Sequence, residues 1–218
     1  HVECIITLAL KAGYPITLAS SSSRRRSILE DAGIPFAVMP PQGDEAEPEG
    51  IAEDYVQALA RTKAKQVEVR VRRGLVLAAD TTVVDGDTVL GKPKDEAEAL
   101  KMLRQLRGEK HRVMTGVAVL DAVSGQYVTG VETSWVTMRY YTDEEAQAFI
   151  VSGEALDKAG AYAVQDEVFS PAESVEGCYP NVVGLPLCLA IDLLRQLGAD
   201  LGDVSLPERC MVDAEGGV

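Results

Sequence analysis

Apolar positions along the chain follow two rhythms, short uninterrupted runs and spaced stripes, and their alternation predicts strands interleaved with helices. Ile16 to Ala19 reads as a short buried strand, residues 24–32 as a helix with Ile28 and Leu29 as its apolar contacts, and residues 35–39 as a second strand. Over residues 51–69 the stripe Tyr55, Val56, Leu59 and Ala60 predicts a long amphipathic helix. Leu75 to Ala79 is apolar without interruption, as in a strand buried on both faces. Asp85-Gly86-Asp87 stands between Val83-Val84 and Val89-Leu90, a hairpin signal. Asp95 to Leu106 predicts a helix with an acidic N-cap, closed near Gly108. Val113–Val123 and Tyr127–Met138 read as long strands joined at Ser124-Gly125, and Thr142–Ser152 as a helix. Ala161–Val164 and Val168–Val175 are expected to pair, and Leu185–Leu197 to form a helix ending at Gly198. The whole predicts an α/β fold with a mixed sheet flanked by helices. Pro40 to Gly50 is an acidic loop, and residues 199–218 form a tail with little periodicity, expected to be loosely attached. Residues 16–198 therefore read as one domain, preceded by residues 1–15 as an N-terminal extension or cloning remnant. The first residue is His1 rather than Met, so the expectation is that the native N-terminus is missing or replaced.

Charge narrows the partners. A formal net charge of −13 argues against general binding to nucleic acid or an anionic membrane surface. Aromatic content of 5% leaves little for stacking exposed bases. No apolar run is long enough to span a bilayer, and the start does not resemble a signal peptide. Four cysteines without regular spacing and two histidines make a zinc site improbable, and reduced thiols in a cytoplasmic setting are expected. A Cys/His nucleophilic pair would have His111 as its only credible base. Any metal should be a hard cation held by carboxylates.

An acidic chain that takes an anionic ligand needs local cations, so clustered Arg and Lys gain weight. Ser20 to Ser23, followed by Arg24 and Arg25, lie between a strand and a helix. A helix start offers unpaired N–H groups, and arginine adds charged forks suited to phosphate. A serine-capped surface helix with solvated arginines fits the same residues. Asp80 follows the apolar run Leu75–Ala79 and precedes Thr81, which puts it at the carboxyl end of a buried strand, where open α/β sheets bind ligands. A carboxylate there can hold a cation or act as general base; a turn aspartate is the alternative. Glu45, beside Asp44 in the acidic loop, could converge with Asp80 on one metal or be merely solvated. Lys63 continues the apolar stripe of its helix, as a phosphate-facing ammonium or a snorkelling edge lysine. Gly91-Lys92-Pro93 holds an ammonium at a defined place beyond the hairpin, or is a plain hairpin exit. Lys158, Gln165 and Asn181 lie in segments of small residues that permit close approach of a ligand or of another strand. Gln165 carries both a donor and an acceptor, as reading a pyrimidine edge requires. The chain has no G-x-x-x-x-G-K-[ST] loop, no G-x-G-x-x-G and no G-x-S-x-G.

Eight islands in order resemble the Maf family of nucleoside triphosphate pyrophosphatases, the septum-formation-inhibitor homologues. They are Leu18-Ala19-Ser20-x-Ser22-x-Arg24-Arg25, Asp44-Glu45, Ala60-x-x-Lys63-Ala64, Ala79-Asp80-Thr81, Gly91-Lys92-Pro93, His111-x-Val113-x-Thr115-Gly116-Val117, Asp157–Gln165 and Asn181–Leu187. The resemblance implies an elongated mixed sheet in two lobes around a central cleft, of the Maf and inosine triphosphate pyrophosphatase kind. It implies a divalent cation, Mg2+ or Mn2+, a nucleoside triphosphate substrate and a homodimer. By matching position, Asp80 and Glu45 would be catalytic and metal-holding, and Ser20, Arg24, Arg25, Lys63 and Lys92 would bind phosphates. Arg24, Thr81 and Gln165 match positions linked to substrate choice. The run from Lys158 to Gln165 looks like the branch acting on dTTP and UTP rather than 7-methyl-GTP. Ser23 stands where the family usually has proline, Asp166 replaces a common glycine, and Met138 a common aromatic. Two other readings are a nucleotide-binding regulator of septation with little catalysis, and the same hydrolysis of 7-methyl-GTP.

Overall fold

The computed structural model describes residues 14–43 and 50–204. Its elements in chain order are β1 (Ile16–Leu18), α1 (Ser23–Asp31), β2 (Ala37–Val38), α2 (Ala52–Glu68), β3 (Leu75–Asp85), β4 (Thr88–Leu90), α3 (Glu96–Leu106), β5 (Lys110–Asp121), β6 (Tyr127–Met138), α4 (Asp143–Val151), a 3-10 turn (Ala159–Ala161), β7 (Ala172–Glu176), α5 (Tyr179–Val183) and α6 (Leu187–Gln196). One mixed sheet runs β2-β1-β3-β5-β6-β7, with β4 also beside β3. The predicted α/β class is what forms.

β1 runs parallel to β2 and β3, whereas β5, β6 and β7 add antiparallel. Two short strands share one edge of β3. β1 pairs with Leu75–Leu77 and β4 with Val83–Asp85, so the middle of β3, residues 78–82, has β5 on one side and a gap between strands on the other. Alternation along β3 sends successive side chains to opposite faces. Leu75, Leu77 and Ala79 join a core with Leu29 of α1 and with Leu187, Ile191 and Leu194 of α6. Val76 and Ala78 face Ala60, Ala64 and Val67 of α2. A separate core around Val83, Leu103, Leu106, Val113 and Phe149 lies at the far end of β3, so the apolar interior divides where the gap occurs.

Four expectations change. Asp80 is not at a strand end: β3 continues through it to Asp85, and its carboxylate is accommodated because Lys63 meets it there. Ala161–Val164 is not a strand. Gly160 and Ala161 both have positive φ, 67° and 62°, so the backbone turns, and β6 takes β7 as its neighbour instead. The expected helix over 185–197 starts at Leu187, preceded by α5, with Gly184 at φ 133° between them. Ala199, Leu201 and Val204 pack on the α6 core, so the described start of the tail is seated rather than loose.

Candidate active site

The gap in β3 opens into a cleft of about 320 Å³. Its walls come from the turn at Ser20–Arg25, from Lys63, from Asp80–Thr82, from Gly91-Lys92 and from two stretches beyond β6, at 157–165 and 182–184. The structure thus brings together Ser20, Arg24, Arg25, Lys63, Asp80, Thr81, Lys92 and Gln165 around one space. Glu45, with Asp44, lies outside the described residues.

The serine turn is set by local capping. Ser22 is the N-cap of α1 and accepts from the Arg25 N–H, while its own N–H donates to Ser20 Oγ at 3.1 Å. Ser23 occupies the first helical residue, a position that proline also favours, so the serine there leaves α1 intact. The helix start and both arginines therefore face the cleft on one short segment.

Asp80 and Thr81, adjacent in β3, serve opposite faces of the sheet. On the α2 face, Asp80 is 7% exposed and its Oδ1 accepts from Lys63 Nζ at 2.5 Å. Gly116 makes this approach possible. It is the register partner of Asp80 in β5, and a Cβ there would lie 2.3 Å from the Val56 carbonyl oxygen of α2. A glycine inside a strand lets another backbone close in. Lys63 follows two turns along the same helix face.

On the other face, Arg25 is bound at three atoms. Nε donates to the Gly184 carbonyl at 2.7 Å, Nη2 to Thr81 Oγ1 at 3.1 Å and Nη1 to Ser20 Oγ at 3.5 Å. Thr81 Oγ1 meets Thr115 Oγ1 at 2.9 Å, and Thr115 donates to the Asn181 carbonyl at 3.1 Å.

Across the cleft, Arg24 Nη1 lies 3.6 Å from Asp157 Oδ2. Asp157 also accepts from Lys158 Nζ at 2.7 Å; Lys158 is buried and holds the Glu154 carboxylate as well, at 2.9 Å. Partial burial pushes the Asp157 carboxyl up, but the Lys158 hydrogen bond and charge, with Arg24, outweigh it and hold the group below its ordinary range. Lys158 is thus a clamp on its own segment. Asn181 is fully buried, with Nδ2 donating to the Val113 carbonyl. The loop carrying Lys92 is pinned by the Gly160 N–H, which donates to the Gly91 carbonyl at 3.1 Å. Asp166 does not intrude: its carboxylate accepts from the N–H groups of Val168 and Phe169, closing its own turn.

His111 stands behind the cleft wall rather than in it. Its Nε2 meets the hydroxyl of Tyr162, which lines the cleft, at 2.8 Å. Burial pulls the imidazole down to about 4 and pushes the Tyr162 hydroxyl up, so both are neutral near pH 7. A neutral, buried imidazole of this kind orients Tyr162. Among the described residues, no three His, Cys, Asp or Glu side chains group as a metal cluster. Asp80 alone suits a magnesium-like ion, which takes one or two carboxylates and fills its remaining positions with water and substrate phosphates.

Sequence reasoning missed Thr115, Gly116, Tyr162 and Asp157 as parts of this site. Gly116 inside an otherwise bulky strand was a usable signal; Thr115 and Asp157 stood only within the sequence islands set out above, because Asn181 and Arg24, which they meet, are distant in sequence.

Residues 15–197 match the family described as Maf-like protein. The chain is 49% identical over 185 residues to a dTTP/UTP pyrophosphatase of Thermomicrobium roseum, covering 84% of each. It is 44% identical to dTTP/UTP pyrophosphatases of Dehalococcoides mccartyi, over 84% of this chain and 82% of that one, and of Pelotomaculum thermopropionicum, over 84% and 96%. The solved Staphylococcus aureus Ham1 protein overlays at a TM-score of 0.40 with 14% identity, covering 84% of this chain and 97% of that one, too loosely to bear on the argument. No helix among the described residues is long and apolar enough to cross a membrane.

Proposed function

The chain belongs to the Maf-like family, and from that premise we propose that it hydrolyses dTTP and UTP to the monophosphate and pyrophosphate. The observation that carries the reading is Asp80, a nearly buried carboxylate facing a cleft that Arg24, Arg25, Lys63 and Lys92 also line, whereas Asp157, which lines it too, is exposed and paired with Lys158 and Arg24. A pure binder of a polyanion gains nothing from a carboxylate at that point. A hydrolase needs one.

Water attacks the α-phosphorus, and the bond from that phosphorus to the bridging oxygen of the β-phosphate breaks. Lys63 holds Asp80 through Oδ1, leaving Oδ2 either to take the proton of the attacking water or to hold a cation. Charge then builds on the departing pyrophosphate. Ser20, the N-terminus of α1, Arg24, Arg25 and Lys92, which line the same cleft, would meet it, and donors fixed in advance are what stabilise developing charge. By matching position Thr81 and Gln165 would contribute to base selection, Thr81 through its bond to Arg25 and Gln165 through an amide that can pair with the donor and acceptor edge shared by thymine and uracil. Asp80, joined by Glu45, would hold a divalent cation, Mg2+ or Mn2+, which when bound supplies further neutralisation of the phosphates.

Pyrophosphate release is to be measured over dTTP, UTP, dCTP, GTP and 7-methyl-GTP with magnesium or manganese, dTTP and UTP being the expected substrates. Asp80→Asn should lower turnover at least about a hundredfold with an unchanged circular dichroism spectrum, since such groups are worth roughly 2–4 kcal/mol. Near-wild-type turnover in that variant would remove Asp80 from the chemistry. Tight dTTP binding without release from any nucleotide would make the chain a binding regulator instead.

A further inference from the structure

We propose that Thr115 and Asn181, which lie behind the cleft, are positioning residues that aim the Arg25 guanidinium at the phosphates. The inference rests on the nucleotide reading of the cleft. Asn181 is 0% exposed, and its Nδ2 donates to the Val113 carbonyl of β5 and to Ser134 Oγ of β6, each at 3.0 Å. Ser134 in turn donates to the Cys178 carbonyl at 3.0 Å. The start and the middle of the α5 segment are therefore tied to the sheet, and the Gly184 carbonyl that receives Arg25 Nε follows three residues after Asn181.

Proton counting gives the network a direction. Thr115 has one hydroxyl proton and gives it to the Asn181 carbonyl, so Thr81 donates to Thr115 at 2.9 Å in preference to the Gly184 oxygen at 3.4 Å. Thr81 Oγ1 then presents a lone pair to Arg25 Nη2. The chain runs from Arg25 to Thr81 to Thr115 to Asn181, and hydrogen bonds aligned in this way reinforce one another. Arg25 is gripped at Nε by the α5 turn and at Nη2 by β3, so its planar fork is set by a buried frame and not by α1 alone. A long side chain fixed before its ligand arrives loses less freedom on binding.

Thr115→Val keeps the side-chain shape and removes the hydroxyl; Thr115→Ser keeps the hydroxyl. The full chain is titrated with inorganic tripolyphosphate by calorimetry, and dTTP kinetics are measured in parallel. Thr115→Val is expected to weaken tripolyphosphate binding and raise KM about fivefold, the loss of one neutral hydrogen bond behind the guanidinium, with a smaller change in kcat. Thr115→Ser should return both to near wild type. In an Arg25→Ala background the Thr115→Val change should add nothing, because the two act through one guanidinium. Values within twofold of wild type for Thr115→Val, or an equal loss that persists without Arg25, overturn the inference. Should Thr115→Val not fold, Ser134→Ala enters the same cycle with the same expectations. Absence of pyrophosphate release with intact tripolyphosphate binding would overturn the proposed activity, whereas the positioning role is decided by the binding cycle.

Discussion

His111 carries the plainest single-residue consequence. Its ring packs edge-on against Tyr162 with centroids 5.5 Å apart, Nε2 is bonded to that hydroxyl, and Nδ1 is buried with no hydrogen-bond partner among the described residues. Burial lowers its pKa from 6.5 to about 4, so the native state holds it neutral while the unfolded chain binds a proton below 6.5. The associated stability is complete above the unfolded value and is lost as pH falls through the window from 6.5 towards 4. Between pH 7 and pH 4.5 this amounts to about 2 kcal/mol. Urea unfolding of His111→Gln should show a pH dependence shallower by about that amount; an unchanged slope would mean the imidazole is charged in the native state. Residues such as Asp80 and Lys63 were legible in the sequence because each interrupts an apolar pattern at a position where burial is otherwise expected. Thr115 and Asn181 were legible only as members of motifs, Asn181 among small residues, since the bond that joins them spans 66 positions.

At the scale of elements, the pairing of α2 with β5 depends on one missing side chain. Alanine at Gly116 would place a carbon 2.3 Å from the Val56 carbonyl, and the contact is backbone on both sides, so neither can rotate away. Gly116→Ala should destabilise the fold by about 1–3 kcal/mol and depress turnover as α2, and Lys63 with it, moves off Asp80. Thermal unfolding together with kcat tests this; full stability and full activity would mean that α2 does not rest on this strand. Strand and helix positions followed from periodicity almost throughout, since burial on one or two faces leaves a direct mark on the sequence. The failures share a cause. Ending a strand at Asp80 assumes that a charge cannot sit within a buried strand, which holds only until another element supplies a cation. Extending one over Ala161–Val164 assumes extended backbone at Gly160 and Ala161, where the packing of Gly160 on Val83 and Leu106 selects a turn. The split between α5 and α6 at Gly184-Leu185-Pro186 was visible as small and rigid residues, but the short helix before it was not.

Across the whole molecule, a chain of net charge −13 concentrates cations in one groove and gives several of them carboxylate partners of their own. Lys63 has Asp80, Lys158 has Glu154 and Asp157, and Arg24 reaches Asp157 from the opposite wall. On the proposed reading of the cleft, an arriving triphosphate would take over a place at Arg24 already held by a protein anion, in the manner of an ion-exchange resin loaded with its own counterion. Such a trade releases few salt ions, so affinity should vary little with ionic strength despite the charge involved. Asp157→Asn unloads Arg24: KM for dTTP should fall at low salt and climb steeply as salt is added, and a salt response equal to wild type would refute the exchange. Retention of a nucleotide would then be governed by the internal competitor at Asp157 rather than by the ionic composition of its surroundings.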